Sequence, residues 1–294
     1  MSRYKQTGEG NKNKRTGEAR RTKPNSREKQ EKQNKRDHRR QYRNVIRELT
    51  SREIKRKYSR SKLGIIWSVL QPLLMMIVMS LIFSQMFQRS IENFPIYYLV
   101  GWNVWSLFST ATTTAMTGLV DNKSMLIKVK FPMGIFVISR VNTALVNFLY
   151  SLIAFAAIVI FFEIRDPWMI SPWIIVILPM VVLCELLFSL GISYILAAAY
   201  VFYGDVKHLY SVVTTMWMYL SAIFYPVDLL GKRMEALIRW NPVFDFIDAL
   251  RQVILYGTLP PYFELLRIAA YAVAVYLIGH AVFTRSKDKI MQKI

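Results

Sequence analysis

A stretch of 24 residues without a formal charge, residues 64–87, constrains this chain more than any other feature. As a helix, at about 1.5 Å per residue, it would cross roughly 30 Å of hydrocarbon. Pro72 lies inside the stretch, and membrane-spanning helices tolerate proline better than helices in water do. Because the residues before it are strongly basic, the sequence predicts a membrane protein with its N-terminal side in the cytosol.

Charged and apolar residues are segregated along the chain, which is 53% hydrophobic and yet has a net charge of +20. Residues 1–62 hold 23 of the 39 Lys and Arg and 7 of the 19 Asp and Glu. Residues 1–40 have almost no apolar side chains, so we predict a disordered basic tail. A nucleic-acid-binding arm is one interpretation. Attraction to anionic lipid headgroups is favoured, with no nucleic acid as partner, because a span follows so closely.

Residues 42–60 have a different pattern, with apolar side chains at helical spacing and Arg and Lys on the other face. The apolar positions are Tyr42, Val45, Ile46, Leu49, Ile54 and Tyr58. This pattern predicts an amphipathic helix lying in the membrane interface. The alternative is a surface helix packed on a cytosolic domain, but the sequence offers no such domain.

The hydropathy of residues 64–284 predicts an all-α integral membrane domain with six transmembrane helices. The spans are expected at about 64–87, 95–120, 134–162, 173–202, 209–230 and 262–283. Six crossings place both termini in the cytosol, including the basic tail 285–294, and the Lys and Arg bias of the loops agrees. The second span is rich in Ser and Thr, whose hydroxyls bond back to their own helix, join helices or line a polar path.

Two segments between spans have their own signatures. Residues 121–132 carry three lysines, which mark a cytosolic loop, and five large apolar side chains, which indicate a short element that docks into something. Residues 231–262 are too polar to span a membrane and too apolar for a loop. They predict two short amphipathic helices, split at Asn241 and Pro242, that re-enter the membrane from outside.

Few residues suggest chemistry within this chain. There is no Walker A pattern, so no ATP site of that kind is expected. Glu185 is an acid inside an apolar span, either a functional group such as a proton relay or a hydrogen-bonded side chain between helices. Asp245 and Asp248 share a helix face with Arg251, which favours an ion-paired face over a catalytic acid pair.

Four local patterns resemble those of the membrane permeases of bacterial ABC exporters that move lipid-linked polysaccharides such as O-antigen, capsule, wall teichoic acid and rhamnose-rich polymers. They are RKYSRSKLGIIWSVLQPLLM (56–75), VDNKSMLIKVKFP (120–132), VFYGDVKHL (201–209) and NPVFDFIDALRQVILYG (241–257). The resemblance covers about residues 43–284. The chain departs from the family pattern at Gly204, where Arg is common, and at Asp245, where an apolar residue, Pro or His is usual.

The resemblance implies a homodimeric permease in the bacterial cytoplasmic membrane, paired with two copies of a separate ATPase subunit that holds ATP and Mg²⁺. No cofactor is then expected in this chain. Closure of the ATPase would push on the 42–60 helix and on the coupling loop 121–132. The residues implied in coupling are Asp121, Lys123, Met125, Leu126, Ile127, Lys128 and Phe131.

The resemblance also implies a channel for a lipid-linked glycan and an external gate. Aromatic rings suit the C–H faces of sugars, and the candidates for the channel wall are Trp102, Trp105, Tyr219 and Tyr225. Packing or a place in the interfacial aromatic belt is the alternative for each of them. The external gate would be residues 231–262, with Asn241, Pro242, Asp248 and Arg251.

Two other functions stay open at this stage. One is an ABC exporter of drugs or small lipids, which the short external loops and the four patterns disfavour. The other is an integral membrane enzyme acting on a lipid-linked sugar through Asp245, Asp248 or Glu185. The enzyme would be active without an ATPase partner, whereas the exporter would not.

Overall fold

The computed structural model describes most of the chain, namely residues 26–59, 62–87, 93–128, 131–165 and 171–294. Contacts divide the chain into two units, residues 1–41 and 42–294. All regular structure in the described residues is helical. In chain order the helices are α1 (Ser26–Tyr58), α2 (Ile66–Phe87), α3 (Phe94–Asp121), α4 (Lys123–Lys128), α5 (Gly134–Arg165), α6 (Ile174–Phe202), α7 (Val206–Tyr219), α8 (Lys232–Arg239), α9 (Pro242–Ile254) and α10 (Tyr262–Lys293).

Four of these helices, α2, α5, α6 and α10, are long and apolar enough to cross a membrane. Their bounds lie close to the predicted first, third, fourth and sixth spans, except that α10 continues through the predicted tail 285–294 as far as Lys293. Over the residues that the structure describes, the protein is therefore an all-helical integral membrane protein, as the sequence predicts.

α3 is the central helix, and α2, α5, α6, α7 and α9 all pack against it. Several of its hydroxyl groups bond within the helix itself. Thr112, Thr113 and Thr114 each donate to a carbonyl four residues earlier, over 2.9, 2.5 and 2.7 Å. Back-bonding of this kind satisfies a hydroxyl inside a helix bundle at little cost.

α6 and α10 cross at two glycines, Gly191 and Gly279, where the two backbones touch. A Cβ on Gly279 would lie 2.1 Å from the Gly191 carbonyl oxygen, and a Cβ on Gly191 would lie 2.5 Å from the Val275 oxygen. Small residues allow such close backbone approach between membrane helices. This crossing fixes α10 against the rest of the bundle.

The predicted fifth span, 209–230, differs from the structure. α7 has only 14 residues and ends at Tyr219, so it is about 21 Å long. The chain then turns through residues 220–226, where Ala222 has a left-handed φ of 48°. In this turn Arg251 donates hydrogen bonds to the carbonyls of Ala222 and Ile223, which a continuing helix would use for its own hydrogen bonds.

α1 begins earlier than the sequence analysis predicts. Residues 26–40 belong to the predicted disordered tail but are helical in the structure. Lys, Arg, Glu and Gln, which dominate this stretch, have high helix propensity. The remainder of the predicted tail, residues 1–25, lies outside the described residues.

We predict that Gly279→Ala lowers the free energy of unfolding by about 1–3 kcal/mol, because the added methyl group forces α6 and α10 apart. Gly204→Ala is the matched control, since a Cβ there meets nothing within 4 Å. It should stay within about 0.5 kcal/mol of wild type. Thermal unfolding of the detergent-purified variants measures both, and equal stability would contradict the tight crossing.

Candidate functional site

A cluster of charged side chains, Glu53, Arg56, Asp121 and Arg140, joins α1, α3 and α5; we call it the charge cluster. Arg140 donates to Glu53 over 2.8 Å and to Asp121 over 2.9 Å. Arg56 donates to the same Glu53 oxygen over 3.0 Å. The Glu53 and Arg140 side chains are each only 8% exposed. Removing one partner from a buried ion pair of this kind strongly destabilises the fold, because the remaining buried charge is left uncompensated.

Neighbouring polar contacts extend the same junction along α1. The Thr50 hydroxyl accepts from Asn142, and the Tyr58 hydroxyl donates to Asn147, each over 3.1 Å. Arg52 donates to the side chain of Asn122, just before α4. The inner face of α1 therefore packs on the protein itself.

The predicted interfacial helix therefore has a more specific setting than its amphipathic pattern implies. Leu49 is buried, and Tyr42, Val45 and Ile46 pack against the same core. Ile54 and Tyr58 are half-buried. This face packs on the helix bundle itself, and the location in the membrane interface stays a prediction.

The predicted coupling loop contains α4, a helix of six residues that follows the charge cluster directly. Leu126 is buried, and Met125 and Phe131 pack against the core beside it. Ile127 is 63% exposed. Lys123 and Lys128 are also exposed. α4 thus presents an apolar side chain between two cations, a surface suited to docking, and Asp121 links it to α1 through Arg140.

A polar groove runs from the charge cluster into the bundle between α2, α3 and α5. It consists of two adjoining cavities of about 250 and 240 Å³, which share Lys57, Thr110 and Asn147. The deeper cavity is lined mainly by hydroxyl, amide and indole groups, from Ser68, Gln71, Trp102, Asn103, Trp105, Ser106, Ser109 and Ser151. Polar side chains inside a membrane bundle are expensive unless they serve packing or a pathway.

The four aromatic candidates divide between two places. Trp102 and Trp105 line the polar groove. Tyr219 and Tyr225 lie at the end of α7, where the Tyr225 hydroxyl donates to the Tyr219 carbonyl. Neither of these tyrosines lines the groove. A chain of ring contacts nevertheless connects the two places, from Trp102 through Tyr98 and Phe224 to Tyr219, with centroids 5.9–6.0 Å apart.

Arg251 organises the opposite end of the bundle. It is 2% exposed and donates to three backbone carbonyls, Ala222 at 3.0 Å and Tyr97 and Ile223 at 3.3 Å. Its guanidinium also lies 3.4 Å from the centre of the Tyr97 ring. Gly101 leaves the room for it, since a Cβ there would lie 3.0 Å from the guanidinium. Arg251 thereby joins α9, α3 and the turn after α7.

Asn241 makes the second joint at this end, immediately before Pro242 opens α9. Its oxygen accepts from the Val243 N–H over 3.0 Å and from the Trp217 indole over 2.8 Å. Its amide donates to the Leu220 carbonyl over 3.0 Å and to Ser221 over 2.9 Å. An N-cap side chain that also holds the end of α7 fixes the angle between the two helices.

The three candidate carboxyl groups have different partners, and Asp245 and Asp248 do not form the expected ion-paired face with Arg251. Asp245 accepts from Arg267 of α10 over 2.7 Å, and Asp248 accepts from Gln252 over 3.0 Å. Burial raises the pKa of Asp245 to about 6, against the opposing effect of Arg267. The pairing with Arg251 fails because Arg251 turns inward to the carbonyls. Glu185 is fully enclosed between α6 and α3, away from the polar groove.

The sequence did not reveal the residues that join the helices, namely Glu53, Asn103, Arg140 and Asn147. Arg140 could have drawn attention, because it is a charged residue inside a predicted span. Its partners could not have been named, since Glu53 is 87 positions away. The fold and these sites define an integral membrane bundle with an internal polar groove and, at one end, a short helix that exposes Ile127.

Comparisons with known proteins give the same class. Residues 44–255 match the ABC-2 type transporter family, and the chain belongs to that family. It is 30% identical to the O-antigen export system permease protein RfbA of Myxococcus xanthus, over 86% of this chain and 96% of the relative. It is 23% identical to the capsule polysaccharide export inner-membrane protein CtrC of Neisseria meningitidis, over 83% and 91%. The polysialic acid transport protein KpsM of Escherichia coli is 20% identical, over 84% and 95%.

We predict that the charge cluster behaves as one unit in a double-mutant cycle of Glu53→Gln and Arg140→Gln. Each single variant leaves a buried charge with fewer partners, so each should be destabilised. The double variant should lose less than the sum of the two, by about 1–3 kcal/mol. Thermal unfolding in detergent supplies the four values.

Glu48→Gln is the matched control for this cycle, because Glu48 lies on the same helix but is exposed. It should change the free energy of unfolding by less than about 0.5 kcal/mol. Additive effects of the two cluster substitutions would contradict the coupling.

Proposed function

We propose that this chain is the transmembrane subunit of an ABC transporter that exports a lipid-linked polysaccharide or cell-wall glycopolymer across the bacterial cytoplasmic membrane. ATP hydrolysis in a separate subunit would drive export, and that subunit would hold ATP and Mg²⁺. Membership of the ABC-2 family and near full-length similarity to polysaccharide export permeases support this function. The observation that carries the proposal is the polar groove between α2, α3 and α5.

The chemistry of the groove suits a glycan. Hydroxyl and amide side chains exchange hydrogen bonds with sugar hydroxyls, and the Trp102 indole offers a flat face for sugar C–H groups. The Ser151 hydroxyl donates a hydrogen bond to the side-chain oxygen of Asn103 over 2.5 Å, which fixes these two side chains in the groove wall. We propose that this wall contacts the polymer while the lipid portion stays in the surrounding bilayer.

The membrane arrangement that fits this function has six crossings, with both ends of the chain in the cytosol. α2, α3, α5, α6 and α10 would each cross once. The fifth crossing would combine α7 with residues 220–230, because α7 by itself is about 21 Å long. The charge cluster and α4 would then face the cytosol, and α8 and α9 would form the external gate.

Two exposed surfaces suit the partners of such a transporter. A second copy of this chain would cover the apolar faces of α2 and α7, where Leu81 is 71% and Leu209 is 67% exposed. The ATPase subunit would receive α4, with Ile127 between Lys123 and Lys128. The charge cluster would transmit its movement to α1 and α5, because Arg140 bonds to residues on both sides of the junction.

An enzyme acting on a lipid-linked sugar is less well supported, because two of its three candidate acids are occupied or enclosed. Asp245 is paired with Arg267, and Glu185 is fully buried. An exporter of drugs or small lipids would not account for the polar lining of the groove. The relatives' names point to polysaccharide export as well.

Filling the groove tests the proposal. Ser106→Trp places a bulky ring in the groove, and we expect surface polymer to fall at least tenfold, a barrier increase of about 1.4 kcal/mol. Lipid-linked polymer should accumulate inside the cell, while the chain is made in normal amounts. Immunodetection of polymer outside and inside whole cells measures both pools.

Leu149→Trp is the matched control, since Leu149 lies on α5 and is 48% exposed, outside the groove. Export at the wild-type rate by this control and loss of export by Ser106→Trp would support the path. Normal export by Ser106→Trp would refute the groove as the path. Unchanged surface polymer in cells that lack this chain altogether would refute the proposed function.

A further inference from the structure

A second cavity, separate from the polar groove, lies where α1, the start of α5, α6 and the end of α10 meet; we call it the interface groove. Its volume is about 470 Å³, within the range of about 300–1,000 Å³ for small-ligand sites. It shares no lining residue with the polar groove. A ligand here would therefore be distinct from the proposed glycan.

One face of α10 builds the outer wall of the interface groove. His280, Phe283, Thr284 and Lys287 follow the spacing i, i+3, i+4 and i+7, so they lie in one row along the helix. The aromatic end of the row, His280 and Phe283, is held by ring contacts, because the ring centroid of Tyr194 lies 4.9 Å from that of Phe283 and 5.8 Å from that of His280. The other end of the row is the cation Lys287.

The opposite wall is apolar, with Ile46 of α1 and Ile135 and Ile138 of α5. A ligand that fills the groove therefore needs an apolar part for this wall and a polar part for the Lys287 end. Such a division is the property of an amphiphile rather than of a sugar or a free ion.

The interface groove straddles the boundary between the apolar and charged parts of α10. On the apolar part of α10, Leu277, Ile278 and Val282 are exposed, as a lipid-facing helix requires. The residues after Thr284 carry charges at four of the next five positions. In the proposed orientation, on which this inference depends, the groove opens at the level of the inner-leaflet headgroups.

The charge of the interface groove selects the kind of amphiphile. Lys287 is exposed and makes no ion pair with any other residue that the structure describes. No acidic side chain lines the cavity, and its polar groups besides Lys287 are the His280 imidazole and the hydroxyl groups of Tyr42, Tyr194 and Thr284. A lysine in a mainly apolar cleft without carboxylates attracts an anionic headgroup at this depth, at about 1 kcal/mol per basic residue.

We infer that the interface groove binds one anionic phospholipid of the cytosolic leaflet, with its phosphate at Lys287 and an acyl chain along Ile46 and Ile138. The bound lipid contacts α1 on one side and α10 on the other. It therefore ties the helix that carries Glu53 to the last helix of the bundle, whereas the charge cluster joins that helix to α3 and α5.

A charge-reversal pair on α10 tests the inference. The purified chain, Lys287→Glu and Lys289→Glu are each incubated with an equal mixture of phosphatidylglycerol and phosphatidylcholine, and retained lipid is counted by native mass spectrometry. Lys289 is exposed on the same helix but does not line the groove. We expect Lys287→Glu to lower the retention of phosphatidylglycerol over phosphatidylcholine at least fivefold, with Lys289→Glu unchanged.

Each other outcome overturns the inference. Equal retention by all three proteins would mean that Lys287 holds no headgroup. Equal loss in both variants would mean diffuse attraction to the charged end of α10. Displacement of the retained lipid by soluble glycerol phosphate would mean a site for free phosphate. Retention is measured without any transport assay, so a result that overturns this inference would leave the proposed function untouched.

Discussion

The ion pairs of the Arg140 guanidinium hold together the end of the bundle at which α1, α3 and α5 meet. Arg140 occupies the start of an apolar helix, where an unpaired charge would be costly, and two carboxylates from different elements neutralise it. Glu53 comes from the amphipathic helix and Asp121 from the end of the central helix. Because α4 begins two residues after Asp121, displacement of α4 bears directly on this cluster, on α1 and on α5.

At the other end of the bundle a second cation, Arg251, also joins helices, but through a different kind of partner. Its guanidinium is held by backbone carbonyls and by the Tyr97 ring rather than by carboxylates. That arrangement ends α7 early and joins α9 to α3. The central helix α3 therefore connects both ends, with Tyr97 in its first turn and Asp121 at its last residue. The polar groove runs along this same helix.

Much of the helical layout was predictable, because hydropathy over 20 or more residues depends on local sequence alone. The bounds of α2, α5 and α6 lie within a few residues of their predicted spans. The break at Asn241 and Pro242 was also evident, since an N-cap and a proline mark a helix start. The early end of α7 was not predictable, because Arg251, about 30 positions later, determines it. The pairing of Glu53 with Arg140 was not predictable either, because the two residues are 87 positions apart in the sequence.

The proposed function requires this chain to be one part of a paired membrane assembly driven by an ATPase. The most direct test is the native mass of the tagged chain, purified from its own cell in mild detergent after cross-linking in the membrane. We expect a complex of two copies of this chain with two copies of an ABC ATPase subunit. Recovery of the chain alone after cross-linking would contradict the proposed function.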